Sequence, residues 1–418
     1  MMRSILTGYE ARGDHTMHAT KVLQKCLGDA LQPMHALRRR VLLRAVEALI
    51  HGRRLTLIDV ARGWPGAERI RAPLKALDRL LGNRHLHAER EHVHGAMARW
   101  LLRGPHPVIV LDWCDLKADR CWHLLRAAVP VGGRTLTILD MVFPDGQQGS
   151  PAAEKRFLQR LAALIPQDVR PILVTDAGFR APWFRAVEAM GWHWLGRLRH
   201  RTLVKPTDAV DTPDAWVPCR ALYELAVAAP RDLGLMDTVR AKPWCCRVVV
   251  HARPPKGRRQ RNRQGMPSRT KKSQENAARE REPWLLIASP ARRHLSARQM
   301  VALYARRTQI ELSFHDLKSH RYGHAFEDSL TRKGKRIEVL LLLHTMAAFA
   351  SWLVGMACET AGIDQWLAPF RSKRRLYSIM RLGREALVRR WSNVRLDELM
   401  EQIRKPSPAL LDQMAVTA

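Results

Sequence analysis

The sequence predicts a mixed α/β protein, in which a sheet with helices on its faces is preceded and followed by helical regions. From about residue 104, short apolar runs and amphipathic segments follow in the order β-β-β-α-β-α-β, which is typical of such a sheet. Residues from about 20 to 100 show helical periodicity instead. Apolar residues make up 46% of the 418 residues, enough to bury the core that this fold requires.

The chain is strongly basic. It has 71 Lys and Arg residues against 39 Asp and Glu, for a net charge of +32 spread along its whole length. Such a surface favours a polyanion, with nucleic acid the first candidate and an anionic membrane the second. The run from Val339 to Cys358 is long enough to span a bilayer, but it contains His344, Thr345 and Ser351. A fully buried helix gives the same pattern, so we expect no membrane.

Cysteine and histidine spacing gives no metal motif. None of the seven cysteines forms a C-x-x-C pair, which argues against a zinc ribbon or a disulfide framework and fits a reducing cytoplasm. The densest histidines, from His85 to His94, have no Cys or acidic set beside them. We interpret them as solvated helix residues.

The helical N-terminal region contains a pattern that resembles a helix-turn-helix. A short helix from Thr56 to Ala61 and a turn at Gly63 and Pro65 precede a basic helix from Glu68 to Leu81. Pro73 indicates a kink or a later start of that helix. Its candidate DNA-binding residues are Arg69, Arg71 and Lys75. An ordinary helical bundle with basic solvated faces would show the same pattern.

Two short apolar strands of the predicted sheet end in an acid. The predicted elements are, in order, the strands Pro107–Asp112, His123–Val131 and Arg134–Phe143, the helix Glu154–Ile165, the strand Pro171–Asp176, the helix Pro182–Met190 and the strand Trp192–Arg197. Gly132 and Gly133 form a two-residue hairpin turn. Ligands of open α/β sheets bind at the carboxyl ends of strands, which makes Asp112 and Asp176 candidate site residues.

Other acids have a simpler interpretation. A single aspartate at the end of a strand is often a turn former or a helix cap, and we interpret Asp115 and Asp140 in this way.

Residues from about 200 to 283 are rich in proline and do not continue the sheet pattern. They contain a β-prone piece from Trp244 to Ala252, and then a basic run from Pro254 to Ser273 that has no acid. This run is loop-like, and it is either a DNA-contacting arm or a solvated charge run. A strand that includes Trp284 follows it.

A single helix is predicted to begin at Ser296, which forms a capping box with Gln299, and to continue towards Gly323 without Gly or Pro. Four polar residues fall within an arc of about 60° on this helix: Tyr304, Arg307, Glu311 and Lys318. An apolar stripe lies beside them and consists of Leu303, Ile310, Phe314 and Leu317. A surface helix with an i,i+4 charge pair is the alternative interpretation.

Glu311 becomes informative beside the two strand-end acids. Three carboxylates held together repel one another unless a cation neutralises them. Hard oxygen ligands suit Mg²⁺ or Mn²⁺, and two such ions about 4 Å apart support in-line displacement at phosphate. Asp112, Asp176 and Glu311 are therefore predicted to be catalytic and to bind the metal.

These residues resemble a known family. The segments DWCDLK with Asp112 and LVTDAGF with Asp176, together with Y-x2-R-x3-E-x6-K from Tyr304 to Lys318, resemble the DDE transposases of the IS-four group, which move bacterial insertion sequences. The resemblance covers about residues 38 to 358. It implies an RNase H-like core in which a β-rich insertion, at about 200–285, separates the second aspartate from the glutamate.

The resemblance also implies function. Asp112, Asp176 and Glu311 would bind two Mg²⁺ (or Mn²⁺) ions for DNA cleavage through hairpin ends, followed by strand transfer. Tyr304, Arg307 and Lys318 would grip the transposon end, and Trp284 would hold a flipped base. The partners implied are double-stranded DNA and a second copy of the chain in a homodimer, in the bacterial cytoplasm at the nucleoid.

We therefore expect a helical N-terminal DNA-binding domain (1–103), an RNase H-like catalytic domain (104–364) and a helical C-terminal region (365–418). Two alternatives remain: a sequence-specific DNA-binding protein derived from a transposase without catalysis, and an RNase H-like nuclease.

Overall fold

The structure is a computed structural model that describes residues 18–199, 202–254, 282–292, 294–367, 376–391 and 407–416, together with isolated positions between 266 and 278. Most of the predicted basic run lies outside the described residues. The strands are β1 (Val108–Asp115), β2 (Trp122–Pro130), β3 (Thr135–Pro144), β4 (Ile172–Val174), β5 (His193–Leu198), β6 (Leu203–Pro206), β7 (Val217–Pro218), β8 (Arg231–Thr238), β9 (Trp244–His251) and β10 (Trp284–Ala288). The α-helices are α1 (Ala19–Cys26), α2 (Gly28–Leu31), α3 (Ala36–Gly52), α4 (Leu57–Arg62), α5 (Arg71–Leu81), α6 (Arg84–Leu101), α7 (Pro151–Ala162), α8 (Ala181–Ala189), α9 (Ala297–Ala305), α10 (Thr308–Lys318), α11 (Gly334–Thr360), α12 (Ile379–Val388) and α13 (Pro408–Met414).

The strands form one mixed sheet in the order β3-β2-β1-β4-β5-β10-β9-β8-β6-β7. β4 is parallel to both β1 and β5, and the other pairs are antiparallel. The predicted mixed sheet with flanking helices is confirmed, and it is compatible with an RNase H-like transposase core. The hairpin turn is also confirmed, because Gly132 and Gly133 have φ of 83° and 92°, which favour glycine.

The expectation that residues 200–283 leave the sheet pattern is wrong. β10 pairs with β5 on one side and with β9 on the other, so the insertion extends the same sheet. The prolines that suggested otherwise lie at strand ends: Pro206 ends β6, and Pro218 lies in β7 at the edge of the sheet. Proline is tolerated there because an edge strand leaves amide groups without a ladder partner.

The predicted continuous helix is also wrong, since it is divided into α9 and α10. The capping box of Ser296 and Gln299 starts α9 as expected. At Arg306 and Arg307 the backbone amides bond three residues back, to Leu303 and Tyr304, rather than four. This tighter turn divides the helix and changes the directions in which the side chains after it point, although the junction contains no Gly or Pro.

A long apolar helix lies at the centre of the helical layer. By length and composition α11 could cross a membrane, but 89% of its most apolar window is buried inside the protein, as in a core helix. α3, α5 and α6 from the N-terminal region pack against α11. α5 begins at Arg71 and not at Glu68, so Pro73 falls in its first turn, where a missing amide costs little.

Candidate active site

β1 and β4 bring two of the predicted acids to the same level of the sheet. The parallel register pairs Val108 with Ile172 and Val110 with Val174. The pairing stops at Val174, and the same offset of 64 residues, continued past the end of β4, would bring Asp176 level with Asp112. Asp112 does not end its strand as predicted, because β1 continues to Asp115 beside β2. It lies where the parallel pairing with β4 stops.

Asp176 follows β4 by two residues and begins a turn. Its Oδ1 accepts a hydrogen bond from the amide of Gly178 at 2.9 Å. A carboxylate held by this turn keeps its other oxygen available for a ligand.

α10 carries Glu311, and the junction before it carries Arg307. The apolar stripe Leu303, Ile310, Phe314 and Leu317 is buried as predicted and fixes both helices to the sheet. The Arg307 guanidinium bridges two of the acids: Nη1 donates to Asp112 Oδ2 at 3.0 Å and Nη2 donates to Glu311 Oε1 at 2.6 Å. The i,i+4 charge pair of the alternative interpretation is therefore present, but Arg307 also pairs with the half-buried Asp112, so the charge pair belongs to a larger cluster.

The three carboxylates interact electrostatically. Burial and the charge of Asp176 raise the pKa of Asp112 to about 7, Glu311 adds to the rise, and the Arg307 charge opposes it. Burial lowers the pKa of Arg307, but the adjacent Tyr304 hydroxyl and the charges of Asp112 and Glu311 outweigh it, and the net pKa is raised. The cluster therefore holds three acids and one permanent cation.

The predicted DNA-contacting residues occupy different environments. Tyr304 is only 4% exposed, and its ring packs edge to face on that of Trp284 at 4.9 Å. Burial raises the pKa of Tyr304, which stays a neutral phenol. Trp284 is 8% exposed, and Arg253 lies over its ring at 5.0 Å. The structure thus joins Trp284, Tyr304 and Arg307 into one stack next to the acids.

Lys318 ends α10 and donates to the carbonyl of Asp115 at 3.1 Å. With Asp112, Glu311 and His320 it lines a cleft of about 470 Å³. Arg69, Arg71 and Lys75 are exposed on and just before α5, outside this cleft.

The donor set fits a hard divalent cation. Three carboxylates supply the oxygen ligands that such an ion takes, and a bound cation would offset the burial and the charges of Asp176 and Glu311 that raise the pKa of Asp112. Across the part of the chain that the structure describes, no three His, Cys, Asp or Glu side chains stand close enough to hold a metal ion. Asp112 and Glu311 each give one oxygen to Arg307 instead, and its positive charge competes with a metal ion for these carboxylates.

The sequence missed two features near this site. Asp140 is not a turn former: it lies inside β3 and forms a buried, bidentate ion pair with Arg126 on β2. Asp115 is not a cap either, because it lies in β1 and bonds His123 at 2.9 Å.

Glu154, on α7, is the second feature that the sequence missed. Burial raises the pKa of Glu154 to about 7, and the Asp176 charge adds to the rise. No spacing in the sequence signals its proximity to Asp176.

The comparison with known families covers the part of the chain that carries this site. A model of the family described as "Transposase DDE domain" matches residues 103–350, more than half of the chain. The match includes Asp112, Asp176 and Glu311. No curated protein gives a significant match.

Proposed function

Because this chain belongs to the family with a transposase DDE domain, we propose that it binds the ends of an insertion sequence, cleaves them and joins them to target DNA. The observation that carries the proposal is the cluster of Asp112 and Glu311 around Arg307, with the charge of Asp176 acting on both Asp112 and Arg307. Transposases of this kind generally use divalent metal ions, and their substrate is DNA.

Asp112, Asp176 and Glu311 would hold two Mg²⁺ (or Mn²⁺) ions. When bound, such ions stabilise charge on a phosphate and lower the pKa of water. The carboxylates would hold the ions, and β1 and β4 would position Asp112 and Asp176 at one end of their parallel pairing.

The cations beside the acids would bind the DNA backbone. Once Asp112 and Glu311 turn away, the Arg307 guanidinium is a free planar donor suited to a phosphate. Lys318 lies at the other end of α10, in the cleft that Asp112 and Glu311 line, and would contact a neighbouring phosphate. Tyr304 and Trp284 would support Arg307 by packing, and Trp284 would stack on an extruded base if its strand end opens.

We extend the proposal to the hairpin pathway, to a homodimer on paired ends, and to end recognition by Arg69, Arg71 and Lys75. The IS-four group, the three domain boundaries and a place at the bacterial nucleoid belong to the same proposal. Its support is the spacing from Tyr304 to Lys318 and the charge of +32.

A cleavage assay tests this function. Purified protein and Mg²⁺ are incubated with linear DNA that carries the inverted repeats flanking the gene. We expect Asp112→Ala and Glu311→Ala to lose at least about 10³-fold in cleavage rate, since each removes a group that acts on the reacting phosphate. Asp115→Asn, three residues along β1 and on the other face, is the matched control and should cut like wild type.

The products separate the alternatives. Strand-transfer products identify a transposase, whereas cleavage alone identifies a nuclease. End binding without metal-dependent cutting would replace the proposal with a DNA-binding protein that has no catalytic activity.

A further inference from the structure

A second cavity lies across α10 from the candidate active site. α10 presents Glu311 and Lys318 to the active-site cleft, and Ser313 and Asp316 to this cavity. The cavity measures about 370 Å³, and its walls come from the end of α3, the β2–β3 hairpin, α10, α11 and α12. We call it the arginine pocket after five of its lining residues: Arg53, Arg126, Arg134, Arg381 and Arg384.

Two of the five arginines have a carboxylate of their own. Arg126 pairs with Asp140, and Arg134 pairs with Asp316. These two guanidiniums are neutralised and leave little charge for a ligand.

The other three share one carboxylate. Arg53, Arg381 and Arg384 approach Oε1 of Glu385 at 3.4, 3.0 and 3.7 Å. Arg389 reaches the other oxygen of Glu385 at 3.5 Å from outside the pocket, so four guanidiniums share one carboxylate and positive charge is in excess beside a partly enclosed cavity. Like charges this close repel one another, and an anion in the pocket would relieve the repulsion.

Two further observations point to a ligand. Burial and the charge of Arg53 lower the pKa of Arg384 to about 10 although the Glu385 charge opposes the fall, as expected of a buried cation that shares its counter-ion. His344 lines the pocket at 5% exposure, and its Nδ1 has no hydrogen-bond partner among the described residues. Burial lowers the pKa of His344, so it is a neutral imidazole that can donate one N–H to an anion.

The backbone of Arg53 supports the same interpretation. Arg53 follows α3 with φ of 69°, a conformation in which glycine is the usual residue. The structure nevertheless places a long cation at this position, where it reaches the pocket.

We propose that the arginine pocket binds a phosphate group, held by Arg53, Arg381 and Arg384 with His344 as a further donor. The phosphate group is that of a DNA backbone, at a point separate from the candidate catalytic carboxylates, and a free phosphate anion is the other source of the same chemistry. Only the choice of DNA as the source rests on the proposed function.

Inorganic phosphate is the first probe. Thermal unfolding of the full chain is followed at constant ionic strength, with phosphate replacing chloride. We expect phosphate to raise the Tm of wild type, and Arg384→Gln and the more exposed Arg381→Gln to abolish most of that increment. Arg389→Gln is the matched control: it removes the same charge from the end of the same helix and also contacts Glu385, but it does not line the pocket. It should keep the full increment.

Duplex DNA is the second probe. The logarithm of Kd is measured against the logarithm of salt concentration by fluorescence anisotropy, and the slope of this plot decreases by about one when a side chain that binds one phosphate is removed. We expect this decrease in Arg381→Gln and no change of slope in Arg389→Gln.

The outcomes are distinct. If phosphate stabilises all four proteins equally or none of them, the pocket is no anion site and the inference is overturned. If Arg381→Gln abolishes phosphate protection but leaves the DNA slope unchanged, the phosphate site stands and DNA is rejected as its source. If wild type binds no DNA at all, the proposed function fails, but the Tm measurements in phosphate still show whether the pocket binds an anion.

Discussion

Asp112 and Asp140 lie in one row of the sheet, two strands apart, and their carboxylates meet opposite conditions. The register pairs Asp112 with Arg126 and Arg126 with Asp140. Arg126 bonds both oxygens of Asp140, at 2.8 and 2.7 Å, and the pair is 1% exposed. Asp140 therefore has a complete counter-ion inside the core.

Asp112 has no counter-ion of its own. It shares Arg307 with Glu311 and lies under the influence of a third acid, Asp176. Its pKa is raised to about 7, whereas Asp140 sits in a closed pair of opposite charges. The comparison teaches that an aspartate on a buried strand becomes a candidate metal ligand when the acids around it outnumber the cations that the fold places beside them.

Asp140→Asn tests the complete pair and should have the largest effect on stability. It leaves the Arg126 guanidinium buried without a counter-ion, which costs about 3 to 5 kcal/mol. The free energy of unfolding from urea titration measures this cost. Asp112→Asn at pH 7 should not destabilise the protein in this way, because it relieves repulsion from Asp176.

A control separates charge from packing in this test. Replacing both partners, in Arg126→Met with Asp140→Leu, should recover most of the stability, because no unpaired charge remains. A cost below about 1 kcal/mol for Asp140→Asn would contradict the role given to the pair.

Arg307→Gln tests the incomplete cluster and should cost about 2 kcal/mol in EDTA, where the acids are deprived of two charged hydrogen bonds. Mg²⁺ should restore much of this stability and stabilise the variant more than wild type, because Arg307 no longer competes for Asp112 and Glu311. Tm measured against Mg²⁺ concentration checks both effects. Equal Mg²⁺ responses in the two proteins would show that Arg307 does not occupy the cation position.

The sequence predicted the site of Asp112 but not the ion pair of Asp140. The apolar runs predicted β1 and β4 with their acids, and the spacing from Tyr304 to Lys318 predicted which side chains face them. These signals are local: strand periodicity, helix rotation and a capping box. They placed Asp112, Asp176 and Glu311 in candidate positions without any knowledge of packing.

The rest depends on non-local geometry. A two-residue turn at Gly132 and Gly133 would place Arg126 opposite Leu139, but a bulge at Ile138 shifts the register and brings Asp140 there. The break between α9 and α10 also depends on contacts between residues that are far apart in the sequence. Tyr304 packs on Trp284 while Arg307 binds the acids, and these tertiary contacts tighten the junction where the sequence shows no helix breaker.

The pH dependence of stability tests the raised pKa of Asp112, with a smaller expected effect. The unfolded chain releases this proton near pH 3.8, whereas the folded protein keeps it until about 7. Between these values the folded state binds more protons, so the free energy of unfolding in EDTA should fall as pH rises. One pKa unit corresponds to about 1.4 kcal/mol, so the rise of the pKa sets a ceiling of about 4 kcal/mol. We expect a fall of about 1 kcal/mol, because the Asp112 side chain is 15% exposed and water screens the repulsion.

Two variants separate the contributions of Asp112 and Glu154 to the change of the free energy of unfolding with pH. Glu154, whose pKa is also raised to about 7, contributes with the same sign. Asp112→Asn and Glu154→Gln should each remove part of the slope, and the double variant should remove most of it. Mg²⁺ should flatten the wild-type curve, because it favours the ionised carboxylates; a slope that Asp112→Asn leaves intact would place the titrating group elsewhere.

The smallest effect belongs to an acid–arginine pair that is neither buried nor crowded. Arg160 on α7 contacts Glu91 on α6 at 3.0 Å, with side chains 55% and 34% exposed. Solvent screens such a pair, so a double-mutant cycle with Arg160→Gln and Glu91→Gln should give a coupling energy of about 0.5 kcal/mol or less. The same cycle on Arg126 and Asp140 should give several-fold more. Equal coupling energies would break the comparison, because burial and charge balance would then not be what distinguishes one aspartate of the sheet row from the other.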